Sequence, residues 1–231
     1  MLTLASLTVR LSNGQVLFDQ LSHTFTSGER HIILGHNGTG KSTLLNLIAG
    51  LKWAESGTIT WKHTDITRLM FYERSKRFLG VLFQQPSKGC IPLLTVRQNL
   101  QLASIKNRPF TIGTALDTAT LERAFEYAEI LHVPLRSLLD RPMMYLSGGQ
   151  QQLIVCIMML INTPELIVLD EPTAALSPHA VKCMRELLLQ YHMQHASTLL
   201  CVTHDMSFSE SLATMTHELH TNGTLGLVTG R

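Results

Sequence analysis

The stretch Gly35-His-Asn-Gly-Thr-Gly-Lys-Ser42 packs three glycines, a lysine and a hydroxyl into the pattern G-x-x-x-x-G-K-[ST]. Gly35, Gly38 and Gly40 let the backbone turn tightly enough for successive N–H groups to surround phosphate oxygens. Between them His36, Asn37 and Thr39 add further amide donors, and Thr43 continues the same run. Lys41 supplies a compact positive charge for the β- and γ-phosphates. Ser42 offers a hydroxyl to Mg²⁺ at the start of a helix whose N-terminus favours an anion. The chemistry indicated is binding of a nucleoside triphosphate with its metal. An ordinary glycine-rich turn would leave Lys41 and Ser42 unexplained.

A second set of functional groups ends the run Leu166-Ile-Val-Leu-Asp-Glu171. Four apolar residues bury a strand, and two carboxylates emerge at its C-terminal end, where open α/β sheets bind ligands. Asp170 suits the Mg²⁺ shell, and Glu171 suits the orientation and polarisation of an attacking water. Two solvated acids at a strand end would be the bland alternative, and the phosphate loop upstream argues against it.

The elements that must position these groups can be read coarsely. Leu2–Leu11 and Val16–Phe25 alternate as strands, with turn residues at Asn13-Gly14 and Ser27-Gly28. His31–Leu34 is a short apolar strand ahead of the glycine loop, and Ser42–Ala49 is helical. Trp53–Trp61 and Phe78–Phe83 read as further strands. Across residues 95–139, Leu102, Leu116, Leu121, Phe125, Ala128 and Leu131 recur at three- and four-residue steps, which predicts helix. Leu166–Leu169, Val181–Tyr191 and Thr198–Val202 then form strand, helix and strand. Apolar strands separated by helices predict a parallel sheet covered on both faces. The tail Glu218–Val228 fits a hairpin around Asn222-Gly223.

Between the two carboxylate and phosphate motifs lies Leu146-Ser-Gly-Gly-Gln150. Ser147 suits the N-cap of the helical run Gln150–Ile161, and the glycines allow that helix end to approach an anion closely. With this pentapeptide some twenty residues before the Asp-Glu strand end, the chain resembles the ATP-binding cassette (ABC) ATPases over nearly its full length. The resemblance implies one α/β domain over residues 1–231. Its P-loop NTPase (RecA-like) parallel-sheet core would carry an N-terminal antiparallel β subdomain and an α-helical subdomain inserted at about residues 86–146. It implies a head-to-tail dimer in which Ser147, Gly148, Gly149 and Gln150 of one subunit close on ATP and Mg²⁺ held by the other. Gln84 resembles the family's glutamine that reaches the metal and the water; Gln85 beside it leaves the register open, and Gln84 is preferred because it directly follows Val-Leu-Phe. His204, after the strand Thr198–Thr203, resembles the histidine that contacts the γ-phosphate. Glu171, His204 and Gln84 are then the expected catalytic set, and Ser42, Gln84 and Asp170 the expected metal set.

Three positions depart from the family pattern. Relatives often carry an aromatic residue that stacks on adenine; here the nearest equivalent is Leu11, so weak discrimination of ATP from GTP is expected. Ser177 stands where the loop after Glu171 usually has Asp. Leu153 stands where Arg usually follows the signature.

Bulk composition bounds the partners. Of 231 residues, 45% are hydrophobic and 16% charged, against roughly 25% charged in a typical soluble domain. The low charge points to surface covered by something else. The longest apolar run, Leu153–Ile161, is far short of the ~18–20 residues of a spanning helix. No basic segment precedes an apolar core at the N-terminus, so no secretory signal is expected. The net charge is +2 with scattered Lys and Arg, which argues against a nucleic-acid partner. Cys90, Cys156, Cys183 and Cys201 show no CxxC spacing and read as reduced thiols, Cys156 and Cys201 within core runs. His192/His195 and His217/His220 have helical i, i+3 spacing, and packed or solvated histidines explain them better than metal. The resemblance implies an ATP-hydrolysing transporter subunit, at the cytoplasmic face of the membrane. Its partners would be a second cassette, separate transmembrane permease subunits and a solute-binding protein of an importer. A non-transport ABC ATPase, or a weakly active partner subunit of a heterodimer, is the alternative.

Overall fold

The computed structural model describes residues 1–105 and 117–228. Strands β1 (Leu2–Arg10) and β2 (Val16–Phe25) form an antiparallel hairpin. Strict alternation would bury every second residue, yet β1 buries Leu2 and Leu4 and then Leu7 and Val9. The three-residue step is a bulge at Ala5 and Ser6, with Ser6 at φ +50°. Opposite it Gly57 adopts φ +94°, and a Cβ there would lie 2.5 Å from the Ser6 carbonyl oxygen. The bulge and this glycine therefore require each other.

Chain order continues with β3 (Arg30–Leu34), α1 (Lys41–Ala49), β4 (Ser56–Trp61), β5 (Thr64–Asp65), α2 (Phe71–Arg77) and β6 (Leu79–Leu82). Helices α3 (Val96–Ser104), α4 (Thr118–Ile130), α5 (Leu135–Leu138) and α6 (Gly148–Leu160) follow. The chain closes with β7 (Leu166–Asp170), α7 (Pro178–His195), β8 (Thr198–Val202), α8 (Met206–Leu212), β9 (Met215–Leu219) and β10 (Leu225–Val228). The small sheet has the order β2-β1-β4-β5. The large sheet has the order β10-β9-β3-β8-β7-β6, parallel except for the β9–β10 hairpin.

Alternate residues of the central strands feed two cores. Ile167 and Leu169 of β7 point toward α6 and α7, whereas Leu166 and Val168 point toward α1 and the antiparallel sheet. Buried on both faces, these strands read as continuous apolar runs. Helix α6 is buried from Gln152 through Leu160, which accounts for the longest apolar run of the sequence. Cys156, Cys183 and Cys201 lie in this core, and all four cysteines are unpaired.

Helix α2 is an element that the apolar pattern does not announce, because its one buried residue is a charge. Arg74 donates from Nη1 to the carbonyls of Leu47 (2.9 Å) and Ile48 (2.7 Å), from Nη2 to Ile66 (2.6 Å) and from Nε to Leu69 (2.9 Å). The C-terminal carbonyls of α1 are thereby satisfied by a cation, which also suits the helix dipole. Burial brings the guanidinium down to about 10, still charged at neutral pH.

Several boundaries differ from expectation. Trp53 is exposed and precedes β4, which starts at Ser56. Helix α7 extends beyond Val181–Tyr191 because Ser177 and Pro178 start it and the left-handed Ala196 ends it. The 95–139 segment breaks into α3, α4 and α5 at positions that include left-handed His132 and Pro134. Leu102 is exposed rather than core, and Leu116 lies outside the described residues. The helical reading of His217/His220 is corrected: His217 belongs to β9. Its Nε2 lies 2.9 Å from His31 Nδ1 and its Nδ1 lies 3.1 Å from His23 Nε2. Two strands and the hairpin meet through this chain of imidazoles. Strand spacing, not helical spacing, governs it.

Candidate nucleotide site

The glycine loop connects β3 to α1 at the C-terminal edge of the parallel sheet. Gly35 carries φ +152°, and a Cβ would lie 2.5 Å from the Leu219 carbonyl oxygen of β9. That close approach excludes every other residue. Thr39 is buried and bonds back to the His36 carbonyl through Oγ1 (3.0 Å). Lys41, also buried, donates from Nζ to the carbonyls of Gly35 (2.7 Å) and His36 (2.9 Å). Burial lowers its pKa, while Glu171 and Asp170 draw it back up. The loop thus holds an ammonium against two of its own carbonyls.

Ser42 Oγ donates to Asp170 Oδ1 at 3.1 Å, across 128 residues of chain. The end of β7 and the first turn of α1 meet at this bond. Burial raises the Asp170 pKa, opposed by the Ser42 bond and by Lys88 and Lys41. A hydroxyl and a carboxylate side by side are hard oxygen donors of the kind Mg²⁺ takes.

Glu171 follows in the left-handed region at φ +47°, with its N–H bonded to the Val202 carbonyl. The turn keeps its carboxylate largely inside, 16% exposed. Parallel pairing of Asp170 with Val202 brings the residue after β7 opposite the residues after β8. His204 therefore reaches Glu171 twice: its backbone N–H donates to Oε2 (3.2 Å), and its Nε2 lies 3.3 Å from Oε1.

A cavity of about 710 Å³ joins these groups. Lys41, Ser42, Thr43, Glu171 and His204 line it with the loop residues Asn37, Gly38 and Gly40. Gln84 lines it and Gln85 does not. Leu11 forms part of an apolar wall with Leu17, and among the described residues no Phe, Tyr or Trp lines the cavity. Gly35, His36 and Thr39, expected to bind nucleotide, belong to the loop but do not line the cavity.

The Leu-Ser-Gly-Gly-Gln segment is elsewhere. Ser147 caps α6 by accepting the Gln150 N–H (3.2 Å), while Gln150 Oε1 accepts the Ser147 N–H (3.1 Å). Gly149 packs against the loop after β7, where a Cβ would lie 3.1 Å from the Ala175 carbonyl oxygen. None of Ser147, Gly148, Gly149 and Gln150 lines the cavity of their own chain. Ser177 caps α7 by accepting the Ala180 N–H (3.3 Å), a role that Ser and Asp fill equally. Leu153 is buried in the core.

Gln152 was not anticipated from the sequence. Its buried Nε2 donates to the carbonyls of Phe83 (3.2 Å) and Pro172 (3.3 Å), linking the backbone just before Gln84 to that just after Glu171. It stands third in a run of glutamines, and only the helix phase shows which of them turns inward. Leu17 was missed as well, since nothing in a strand marks which residue overlooks a ligand.

A second hollow of about 450 Å³ opens between α2, β6, α3 and α6, with Phe71, Tyr72, Phe83 and Leu102 among its walls. The stretch Lys88–Val96 runs beside this hollow without forming its wall as a whole. Only Lys88 and Gly89 line it, while Cys90 and Ile91 line a smaller neighbouring hollow.

Residues 18–174 match the family model described as ABC transporter. A tyrosine transport ATP-binding protein of Clostridioides difficile is 40% identical over 192 residues, 82% of this chain and 75% of the relative. The thiamine import ATP-binding protein of Haemophilus ducreyi is 36% identical, over 80% of each. Further relatives at 31–33% identity include a lipoprotein-releasing and a cytochrome c biogenesis export ATP-binding protein. Among solved structures, a dimeric ATP-binding cassette in a post-hydrolysis state with ADP and Pi aligns over the whole of both chains, with TM-score 0.83 and 26% identity.

Proposed function

The chain belongs to the ABC transporter family of ATP-binding, ATP-hydrolysing subunits, and on that premise we propose that it powers a solute importer as a head-to-tail dimer beneath separate permease subunits. The observation that carries the site assignment is the hydrogen bond of Ser42 to Asp170 beside the Glu171–His204 pair, with Ser42, Glu171 and His204 lining one cavity with the glycine loop. Residues 1–231 act as one cassette, with the helices between β6 and β7 as its inserted subdomain.

Hydrolysis at this site is phosphoryl transfer, which needs positioning and charge neutralisation more than covalent chemistry. The loop N–H groups and Lys41 hold the β- and γ-phosphates, Lys41 exchanging its two carbonyl partners for phosphate oxygens. Ser42, Asp170 and Gln84 fit a Mg²⁺ ion by their oxygen donors. When bound, that ion would neutralise the phosphate charge. Glu171 orients the attacking water and accepts its proton, and His204 steadies both the Glu171 carboxylate and the γ-phosphate. Ser147 and Gly149 reach the γ-phosphate from a second subunit. Their distance from the cavity of their own chain supports that reading.

The hollow between α2 and α3 receives a helix of the permease. Its aromatic and aliphatic walls next to the Gln84 loop support such a coupling, since a push there passes to the cavity through Gln84. Among the described residues no helix is long and apolar enough to cross a membrane. The membrane segments then come from the partner, and the cassette sits peripherally at the cytoplasmic face. Import with a solute-binding protein is favoured by the tyrosine transport and thiamine import relatives, and an amino-acid-like solute by the first of them.

The test is phosphate release from MgATP by the purified chain, alone and with its co-expressed permease in proteoliposomes. Stimulation by permease and solute-loaded binding protein, with inward movement of labelled solute, is the expected result. Hydrolysis that ignores every membrane protein would overturn the transporter assignment, and outward movement would overturn import.

A further inference from the structure

His132, His179 and Cys183 converge at the surface where the end of α4 meets α7, away from the nucleotide cavity. His179 and Cys183 stand four residues apart on one face of α7, and Cys183 Sγ lies 3.7 Å from His179 Nε2. His132 follows α4 in the left-handed region at φ +52°, where its ring comes beside that of His179, centroids 5.3 Å apart. One ligand atom from each of the three lies within 4.8 Å of the others. Both histidines are exposed and Cys183 is buried, 4% exposed. A buried cysteine therefore lies within reach of two exposed histidines.

We propose that His132, His179 and Cys183 bind a divalent cation of the zinc class, with water in the fourth position. A tetrahedral site with Zn–N of about 2.0–2.1 Å and Zn–S of about 2.3 Å separates nitrogen from sulfur by about 3.6 Å. The His179–Cys183 pair already has that spacing, and His132 needs to close by no more than about 1.5 Å. Two imidazoles and a thiolate form a borderline-to-soft set that prefers Zn²⁺ to Mg²⁺. The site therefore does not compete for the metal suited to Ser42 and Asp170. On binding, Cys183 gives its thiol proton to solvent and the sulfur–metal bond replaces the S–H···N contact. An occupied site ties the helices between β6 and β7 to α7, two residues beyond the Ser177 cap.

The test uses the full chain without nucleotide, titrated with Co²⁺ as an optical stand-in for Zn²⁺. Wild type should develop a near-ultraviolet thiolate-to-metal band that saturates at about one equivalent and is bleached by Zn²⁺. Cys183→Ser should abolish the band, His132→Ala and His179→Ala should weaken metal binding by about 100-fold or more, and Cys90→Ser should leave it intact. Zn²⁺ should raise the thermal midpoint of wild type and not of His132→Ala. Because His132 is exposed, that variant decides the matter where Cys183→Ser fails to fold. No band at millimolar Co²⁺, or a band that survives both Cys183→Ser and His132→Ala, leaves only an S–H···N hydrogen bond and overturns the site.

Discussion

His204 grips Glu171 from two sides, its backbone N–H on one carboxylate oxygen at 3.2 Å and its Nε2 3.3 Å from the other. The left-handed turn at Glu171 and the parallel register of β7 with β8 create this pairing. A carboxylate held so firmly at the cavity wall is preorganised to orient a water. Glu171→Gln keeps the shape and loses the proton acceptor, so phosphate release should fall roughly 10²–10⁴-fold with ATP binding retained. Near-normal turnover would remove Glu171 from the mechanism.

Separation of the signature from the cavity in one chain predicts complementation. Lys41→Ala and Ser147→Ala should each silence hydrolysis as homodimers. Co-expressed and randomly mixed, half of the dimers pair an intact glycine loop with an intact signature at one of two sites. Activity should return to about a quarter of wild type. An inactive mixture would contradict the head-to-tail arrangement.

Leu11 and Leu17 form an aliphatic part of the cavity wall, and a base held against them would lack an aromatic partner. Leu11→Tyr should tighten ATP binding about fivefold or more, since aromatic stacking contributes about 1–3 kcal/mol in nucleic-acid sites. Fluorescent-nucleotide competition would show it, and the wild type should accept GTP nearly as well as ATP. Strong exclusion of GTP by wild type would contradict this account of the wall.

The imidazoles of His23, His31 and His217 predict acid sensitivity. Burial, reinforced by the neighbouring histidines, brings His217 down to about 4, and burial lowers the other two as well. In the unfolded chain these groups titrate near 6.5, so below that pH the unfolded state binds more protons than the folded one. Stability should therefore fall as pH drops from about 6.5 toward 4. The contribution of His217 is about 2 kcal/mol after allowance for solvent screening. Urea midpoints of wild type and His217→Gln between pH 7.5 and 5 would measure the difference, and parallel slopes would refute the assignment.

Arg74 ends the phosphate-loop helix from beneath, and an apolar side chain has no donor for its carbonyls. Arg74→Met should cost about 3 kcal/mol or more of stability, because several buried acceptors lose a charged donor. Chemical denaturation checks this, and a loss under about 1 kcal/mol would mean that water replaces the guanidinium.

Local chemistry written in contiguous residues was legible from the start. Gly35–Ser42, Leu166–Glu171 and the Ser147 cap with Gln150 each specify a strand end, a turn or a helix start through neighbours in the chain, and the apolar runs named the parallel strands. Positions that depend on what lies across the fold were not legible. Helix α2 hid because its inward face is an arginine, Gln152 because its partners are carbonyls of distant loops, and the histidine chain because strand and helix spacing look alike over three residues.

Low charge and the absence of a long apolar span likewise spoke only of surface to be covered. By itself the sequence determined the phosphate loop, the carboxylate pair and the signature that identify an ABC cassette, because short-range backbone sterics and side-chain chemistry suffice for them. Tertiary structure alone decided that Ser42 meets Asp170, that His204 meets Glu171, and that His132 comes beside Cys183. Those contacts join residues whose separation along the chain carries no information until the parallel register and the helix packing bring them together.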